Sequence, residues 1–174
     1  FTHWAKLNNL KQAAKTMNFL TEHGINSYGE LESKLTAVSA RRDTAHAEIK
    51  RIKSRSAELT LVMRHAETYR QLKPLYERYR KSNDKEKFLR GHESEIILFE
   101  AAARELKRLG AVPLPITESM KTELAKLNAE KERLLTEYKT ARTEAQKYDT
   151  VKQNVDALLA VPKEQEQQRR HELE

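Results

Sequence analysis

The sequence contains no cysteine and has only four glycines and four prolines among its 174 residues. Without thiols the chain forms no disulfide and offers no thiolate metal site, which fits a reducing compartment. Aromatic residues make up only 6% of the chain, so the side chains that dominate a large globular core are scarce. No apolar run approaches the roughly 20 residues that cross a bilayer, and no signal-peptide pattern opens the chain. We therefore expect no contact with membranes and a cytoplasmic location.

Charge and helix-forming residues are what the sequence has in abundance. Charged residues make up 34% of the chain, a profile typical of long helices with narrow apolar seams. Two heptad registers alternate spacings of four and three residues, as in coiled coils. The first register is Leu31, Leu35, Val38, Arg42, Ala45, Ile49, Ile52, Ser56, Leu59, Met63 and Ala66. The second is Met120, Leu124, Leu127, Lys131, Leu134, Tyr138, Ala141, Ala145, Tyr148, Lys152, Val155 and Leu159. Together they predict an all-α fold, a long antiparallel coiled-coil helical hairpin.

Helix-breaking and helix-capping residues divide this hairpin into segments. Gly24 and Gly110 are placed as left-handed helix ends, Ser27 and Glu30 have the spacing of a capping box, and Pro162 is expected to end the last helix. The predicted segments are an N-terminal base helix (1–26), a first arm (27–69), a small helical tip (70–117), a second arm (118–160) and a polar tail expected to be disordered (161–174).

Packing of the base helix and of the two arms can also be predicted from the pattern. An apolar stripe at helical spacing is expected to hold the base helix against the arms. It consists of Trp4, Leu7, Leu10, Ala14, Met17 and Leu20. The antiparallel register places Arg42 opposite Tyr148, where the guanidinium is expected to lie against the ring.

The basic residues are concentrated in two stretches of the chain. The formal net charge of the whole chain is +7. Residues 41–55 contain six basic and two acidic residues, and residues 64–90 contain nine and four. A segregated basic surface attracts polyanions such as DNA, although the same residues also serve simply to solvate a long helix. The candidate nucleic-acid-binding residues are Arg41, Arg42, Lys50, Arg51, Lys53, Arg55, Arg70, Lys73, Arg78, Arg80 and Lys81.

Two features of these basic surfaces have alternative interpretations. The tyrosines between the tip cations either stack on a nucleic-acid base or pack beneath the helix predicted over residues 88–109. They are Tyr69, Tyr76 and Tyr79. The base helix has a mildly basic polar face, which either docks on DNA or an upstream domain or simply accompanies packing at the base. That face contains Lys6, Asn8, Asn9, Lys11, Gln12 and Lys15.

Motifs for catalysis and for cofactors are not found in the sequence. Its six histidines are scattered, and none forms a zinc-protease or di-iron pattern. His92 and Glu95 have the spacing of two metal ligands on one helix face, a spacing that is common on solvated helices. There is no glycine-rich phosphate loop and no nucleophile motif. We therefore expect a non-enzymatic segment without a cofactor or a metal.

A resemblance to a known family is carried by the first helix. Residues 4–22, with the run Asn9-Leu10-Lys11-Gln12-Ala13-Ala14-Lys15-Thr16, resemble the start of the C-terminal helical region of conjugative relaxases. The likeness continues through Ser27-Tyr28-Gly29-Glu30-Leu31, Tyr79-Arg80-Lys81, Glu100-Ala101-Ala102, Leu109-Gly110 and Leu114-Pro115. The resemblance implies a bacterial mobilisation protein of an integrative and conjugative element, which nicks DNA with an N-terminal nuclease domain. None of that domain's catalytic residues has a counterpart here, so the resemblance assigns this segment an accessory role.

Two functions agree with these observations. The first is a non-catalytic accessory domain that holds DNA, weakly and without sequence preference, beside a nuclease domain of the same, longer chain. The alternative is a coiled-coil module that dimerises or recruits a coupling or secretion protein. The oligomeric state stays open at this point.

Overall fold

Residues 2–171 fold into four helices. The computed structural model describes the backbone of residues 2–171 and the side chains of residues 8–160. The helices are α1 (Thr2–Glu22), α2 (Tyr28–Lys81), α3 (Lys85–Arg108) and α4 (Thr117–His171). No strand occurs among residues 2–171, and the predicted all-α hairpin is confirmed. The chain divides into two compact units: unit 1 holds the described residues of Phe1–Ala47 and Leu134–Glu174, and unit 2 is Glu48–Arg133.

The heptad registers identify the buried faces of the two long helices. Every position of the first register is buried or half-buried, including Arg42 and Ser56. The second register behaves in the same way except at its last position, Leu159, which is 55% exposed. The spacing of three and four therefore predicts burial because it keeps one helix face toward a partner helix.

Unit 1 consists of α1, the first part of α2 and the last part of α4. Its core contains Leu31 and Val38 from α2, with Ala145, Tyr148 and Val151 from α4. The two arms run antiparallel. Near the start of α2, the Tyr28 hydroxyl donates to Asp156 Oδ1 at 2.6 Å. Further along α2, Arg41 Nη2 lies 2.5 Å from Glu144 Oε2, so the partner position falls as the α2 position rises.

The face by which α1 packs differs from the predicted stripe. Leu10 and Met17 are 67% and 60% exposed, whereas Thr16 is only 2% exposed. The Thr16 hydroxyl accepts a hydrogen bond of 3.1 Å from Asn154 Nδ2, and Phe19 packs against the core of unit 1. The predicted stripe is therefore wrong at Leu10, Met17 and also Ala14, which is exposed, and it is confirmed at Leu20, which packs against the core of unit 1. The side chains of Trp4 and Leu7 lie outside the described residues.

The predicted contact between Arg42 and Tyr148 is also wrong. Arg42 Nε instead lies 2.7 Å from Asp43 Oδ1, and this hydrogen bond holds the pKa of the Asp43 carboxyl below its usual value. The Tyr148 ring meets Phe19 edge-on at 5.2 Å. Because α1 covers Tyr148, an aromatic neighbour occupies the place that the coiled-coil pattern alone assigns to the guanidinium.

Asp156 joins the two arms of unit 1 and provides a test of their contact. Its carboxylate accepts from Tyr28 and, at 3.0 Å, from Lys152 Nζ. These bonds, that of Tyr28 first, hold the pKa of Asp156 below its ordinary value. A depressed folded-state pKa contributes stability above the unfolded-state pKa, and this stability is lost as the pH falls through the folded-state value.

We expect Tyr28→Phe to raise the pKa of Asp156 because the substitution removes the principal hydrogen bond to its carboxylate. An NMR titration of the side-chain carboxyl carbon measures this directly. The control is Tyr138→Phe, since the Tyr138 hydroxyl has no hydrogen-bond partner among the side chains that the structure describes. An unchanged Asp156 titration in Tyr28→Phe contradicts the assignment.

Unit 2 consists of the second part of α2, all of α3 and the first part of α4. Leu59, Val62 and Ala66 of α2 form its core with Leu106 of α3 and Met120 of α4. Arg55 links α2 to α4 through Glu123, at 2.9 Å. Pro74 lies within the continuous helix α2, so the chain runs through this position in helical form up to Lys81.

The predicted helix ends at Gly24 and Gly110 are confirmed. Both glycines have positive φ, 58° and 67°. In each case the amide after the glycine reaches back five residues, as in the Schellman pattern, from Ile25 to Leu20 and from Ala111 to Leu106. Both turns therefore use a left-handed conformation that glycine adopts without steric cost.

The capping box at the start of α2 forms in a modified way. The Glu30 amide donates to Ser27 Oγ at 3.2 Å, as the pattern predicts. The Glu30 carboxylate, however, accepts from the Asn26 amide at 2.7 Å, one residue before the expected donor. The cap thus still satisfies two free amides at the helix entry.

The end of α4 lies beyond the predicted one. The helix continues through Pro162 to His171, so the expected stop after Ala160 is wrong, and residues 161–171 of the expected disordered tail are helical. Proline removes one amide donor, which leaves the carbonyl of Leu158 without its helical partner. None of the helices is long and apolar enough to span a membrane over the part of the chain described.

Candidate nucleic-acid interface

Four cations occupy the last turns of α2. Lys73, Arg78, Arg80 and Lys81 are exposed, and none forms an ion pair within the described residues. We call these four residues the corner ridge. The single carboxylate between them, Glu77, is also exposed. Four cations and one carboxylate at this helix end leave a local excess of three positive charges.

The turn between α2 and α3 adds further cations next to the corner ridge. Ser82 Oγ bonds to the carbonyl and the amide of Asp84. Asp84 then caps α3 by accepting from the Lys87 amide at 3.0 Å. Lys85 and Lys87, in the first turn of α3, are exposed and have no ion-pair partner among the described side chains. Sequence reasoning left both lysines out of the candidate set, although the Asp84 cap signal predicts that they follow the ridge directly.

The tyrosines of this region pack against α3. The rings of Tyr69 and Tyr76 both stack on Phe99, with centroids 4.7 and 4.2 Å away. Tyr79 meets Phe88 at 6.1 Å. The Tyr76 hydroxyl donates to Glu100 at 3.4 Å, and burial, reinforced by Glu100, raises the pKa of Tyr76. Of the two interpretations of the tyrosines, packing beneath the third helix is therefore the one confirmed.

Arg70 is occupied by a structural contact. Its guanidinium donates to the Pro115 carbonyl at 2.8 Å and to Thr117 Oγ1 at 2.5 Å. It thereby fastens the connector between α3 and α4 to the side of α2. This use of its donors separates Arg70 from the four residues of the corner ridge, although both lie in the same candidate stretch.

We expect Arg70→Gln to affect stability more than DNA binding. Two hydrogen bonds from an exposed side chain contribute together about 1 kcal/mol, which corresponds to a decrease in Tm of roughly 2–4 °C for a chain of this size. Thermal unfolding and DNA binding are measured on the same sample, with Lys73→Gln as the matched control. A larger loss of DNA affinity in Arg70→Gln than in Lys73→Gln contradicts this assignment.

The second candidate stretch, residues 41–55, is largely neutralised by ion pairs. Arg41 pairs with Glu144, Arg42 with Asp43 and Arg51 with Glu48, at distances between 2.5 and 2.9 Å. Arg55 contacts both Glu58 and Glu123. Only Lys50 and Lys53 of this set are exposed without an ion-pair partner among the described residues. The arginines have structural partners, so the attraction for polyanions from this stretch is weaker than its sequence suggests.

His92 and Glu95 do lie close together, but two residues do not make a metal site. His92 Nδ1 is 3.6 Å from Glu95 Oε1, which is too long for a hydrogen bond. The backbone at His92 departs from helical geometry, with φ −141° and ψ 25°, next to Gly91, where the sequence allows an interruption. Within the part of the chain that the structure describes, no group of three or more histidine or carboxylate side chains is arranged to hold a metal ion.

Comparisons of the chain with known protein families, with curated proteins and with solved structures give no match.

Proposed function

We propose that this chain is a non-catalytic accessory domain that holds DNA through phosphate contacts of the corner ridge. The observation that carries the proposal is the set of four exposed cations, Lys73, Arg78, Arg80 and Lys81, without internal ion-pair partners among the described residues. Unpaired lysines and arginines gain most from displacing the counterions of a polyanion.

Double-stranded DNA is the form that these side chains suit. Recognition of single strands usually depends on aromatic rings that stack on splayed bases. The rings next to the corner ridge are already stacked on Phe99 or packed against Phe88, so the cations are left to contact phosphates alone. Such contacts position a protein on the duplex without reading its sequence, and binding without sequence preference follows.

The resemblance of the first helix to conjugative relaxases supplies the context of the proposal. In that context the domain belongs to a longer, DNA-nicking mobilisation protein of a bacterial cytoplasm. It assists the nuclease domain of the same chain, which carries out the chemistry, and it contributes no catalytic residue or cofactor of its own.

Fluorescence anisotropy of a labelled duplex across a series of salt concentrations tests the proposal. If the four ridge cations each neutralise one phosphate, the slope of log K against log salt is expected to be about −3 to −4. Duplexes of unrelated sequence should bind equally. A flat anisotropy at low salt contradicts the proposal and leaves the ridge as a solvated helix surface.

A second function, docking of a protein partner, is favoured by the outer face of α1. Leu10 and Met17 are both more than half exposed on this face, and exposed apolar side chains on one helix face are typical of binding surfaces. A coupling or secretion protein, or a second copy of the chain, would cover them. Light scattering tests self-association. This alternative is favoured if the chain forms a dimer that Met17→Glu disrupts and if the unmodified chain does not bind DNA.

A further inference from the structure

Unit 1 contains a groove that the DNA-holding proposal does not use. It runs between α1 and α4, and one part of it, of about 530 Å³, is lined by Phe19, His23 and Lys139 together with Thr143 and Lys147. An adjoining part of about 370 Å³ shares Phe19, Thr143 and Lys147 and extends to Lys15. The two parts share these lining residues and lie side by side along α1 and α4, and we refer to them together as the groove.

The charge of this groove is positive. Lys15, Lys139 and Lys147 line it, and none has an ion-pair partner among the side chains described. The one carboxylate in its wall, Glu144, is neutralised by Arg41. The threonine hydroxyls donate hydrogen bonds to backbone carbonyls of their own helix, Thr143 to Lys139 and Thr150 to Gln146. The lysines are therefore the charged groups that remain free to contact an anion.

Aromatic rings lie at one end of the groove. The Phe19 and His23 rings stack with centroids 3.9 Å apart, and His23 Nδ1 is fixed by the Phe19 carbonyl at 2.9 Å. The His23 side chain is exposed, so one surface of this ring pair is open to a ligand. Cations along a groove, with a ring at one end, are the combination that binds unpaired nucleotides.

The ring at the end of the groove favours a single strand, because unpaired bases are free to stack on a side chain whereas the bases of a duplex are stacked on one another. We infer that this groove binds single-stranded nucleic acid, with Lys15, Lys139 and Lys147 on the phosphates and the His23 ring against a base. The site lies on different residues from the corner ridge and does not depend on it.

The test compares two double variants that remove the same charge. Lys139→Gln/Lys147→Gln neutralises the groove, and Lys34→Gln/Lys126→Gln removes two exposed lysines that do not line it. Anisotropy of a labelled oligothymidylate of about 12 nucleotides is measured on the full chain over a range of salt. The groove variant is expected to lose about tenfold in affinity and to flatten the salt slope by about 1.4, that is, 0.7 for each of two contacts. The control should change little.

Each outcome of this experiment decides the inference. Equal losses in both variants mean that only net charge matters and overturn the groove as a site. Competition by polyglutamate as effective as that of unlabelled oligothymidylate shows an acidic peptide site instead. Failure of the corner ridge to bind duplex DNA leaves the inference intact, since the two experiments use different probes and different variants. A fall in single-strand affinity on His23→Ala adds the stacking contact to the phosphate contacts.

Discussion

Replacing Lys73 and Lys81 together with glutamate is expected to weaken binding of duplex DNA roughly 50-fold near 0.1 M salt, since two phosphate contacts account for a slope of about 1.8 in log K against log salt. Both side chains are exposed and neither has an ion-pair partner among the described residues, so the substitution breaks no ion pair. Reversed charge adds repulsion to the loss of attraction.

The control for this substitution is Lys34→Glu/Lys126→Glu, which changes the net charge by the same amount at two exposed positions outside the ridge. Anisotropy with a labelled duplex measures both variants at several salt concentrations. We expect the control to stay within about threefold of the unmodified chain, because charges beyond a Debye length are largely screened. Similar losses in both variants would show that the duplex responds to net charge alone.

Replacing Leu106 with alanine is expected to lower the free energy of unfolding by about 2–5 kcal/mol, the range observed for buried leucines. Leu106 is 1% exposed and packs in the core of unit 2 with Leu59, Val62 and Met120. It joins α3 to the rest of the unit, and a cavity at this position removes contacts to both long helices. Urea unfolding followed by far-ultraviolet circular dichroism gives the change.

Leu98, eight residues earlier on α3, offers a matched control for Leu106. It is 55% exposed, and Leu98→Ala is expected to change the free energy of unfolding by no more than about 0.5 kcal/mol. Comparable effects of the two substitutions would mean that α3 does not pack by the face described. A large effect of Leu106→Ala alone supports the arrangement that also places the tyrosines beneath α3.

The sequence predicts the long helices well because their signals are local. A spacing of three and four identifies the buried face of α2, and Gly24 and Gly110 identify helix ends through a backbone conformation that other residues avoid. The orientation of α1 is not predictable in this way. Leu10 and Met17 form a regular stripe and yet are exposed, whereas Thr16 is buried because Asn154, distant in sequence, satisfies its hydroxyl.

The candidate binding residues divide for a similar reason. A run of basic residues predicts a positive surface only if their carboxylate partners are known, and some of these partners are distant in the chain. Arg41 meets Glu144 and Arg55 meets Glu123, whereas Lys73 and Lys81 meet none within the described residues. The groove in unit 1 is less visible still, because Lys15 and Lys147 come together only when α1 packs on α4.

The sequence distances that the contacts span predict the order in which the two units fold. The hydrogen bond between Tyr76 and Glu100 closes a loop of 24 residues, whereas that between Tyr28 and Asp156 closes one of 128. The difference in loop-closure entropy is about 1.5 kcal/mol, which favours early contacts between α2 and α3. Once unit 2 is folded, the effective loop for unit 1 is far shorter.

Pulse-labelling hydrogen exchange during refolding should therefore protect amides of unit 2 before those of unit 1, and the reverse order would exclude this route. During synthesis on the ribosome, the second arm emerges after the helices against which it packs. Unit 1 is therefore completed only when the C-terminal half of α4 has left the ribosome.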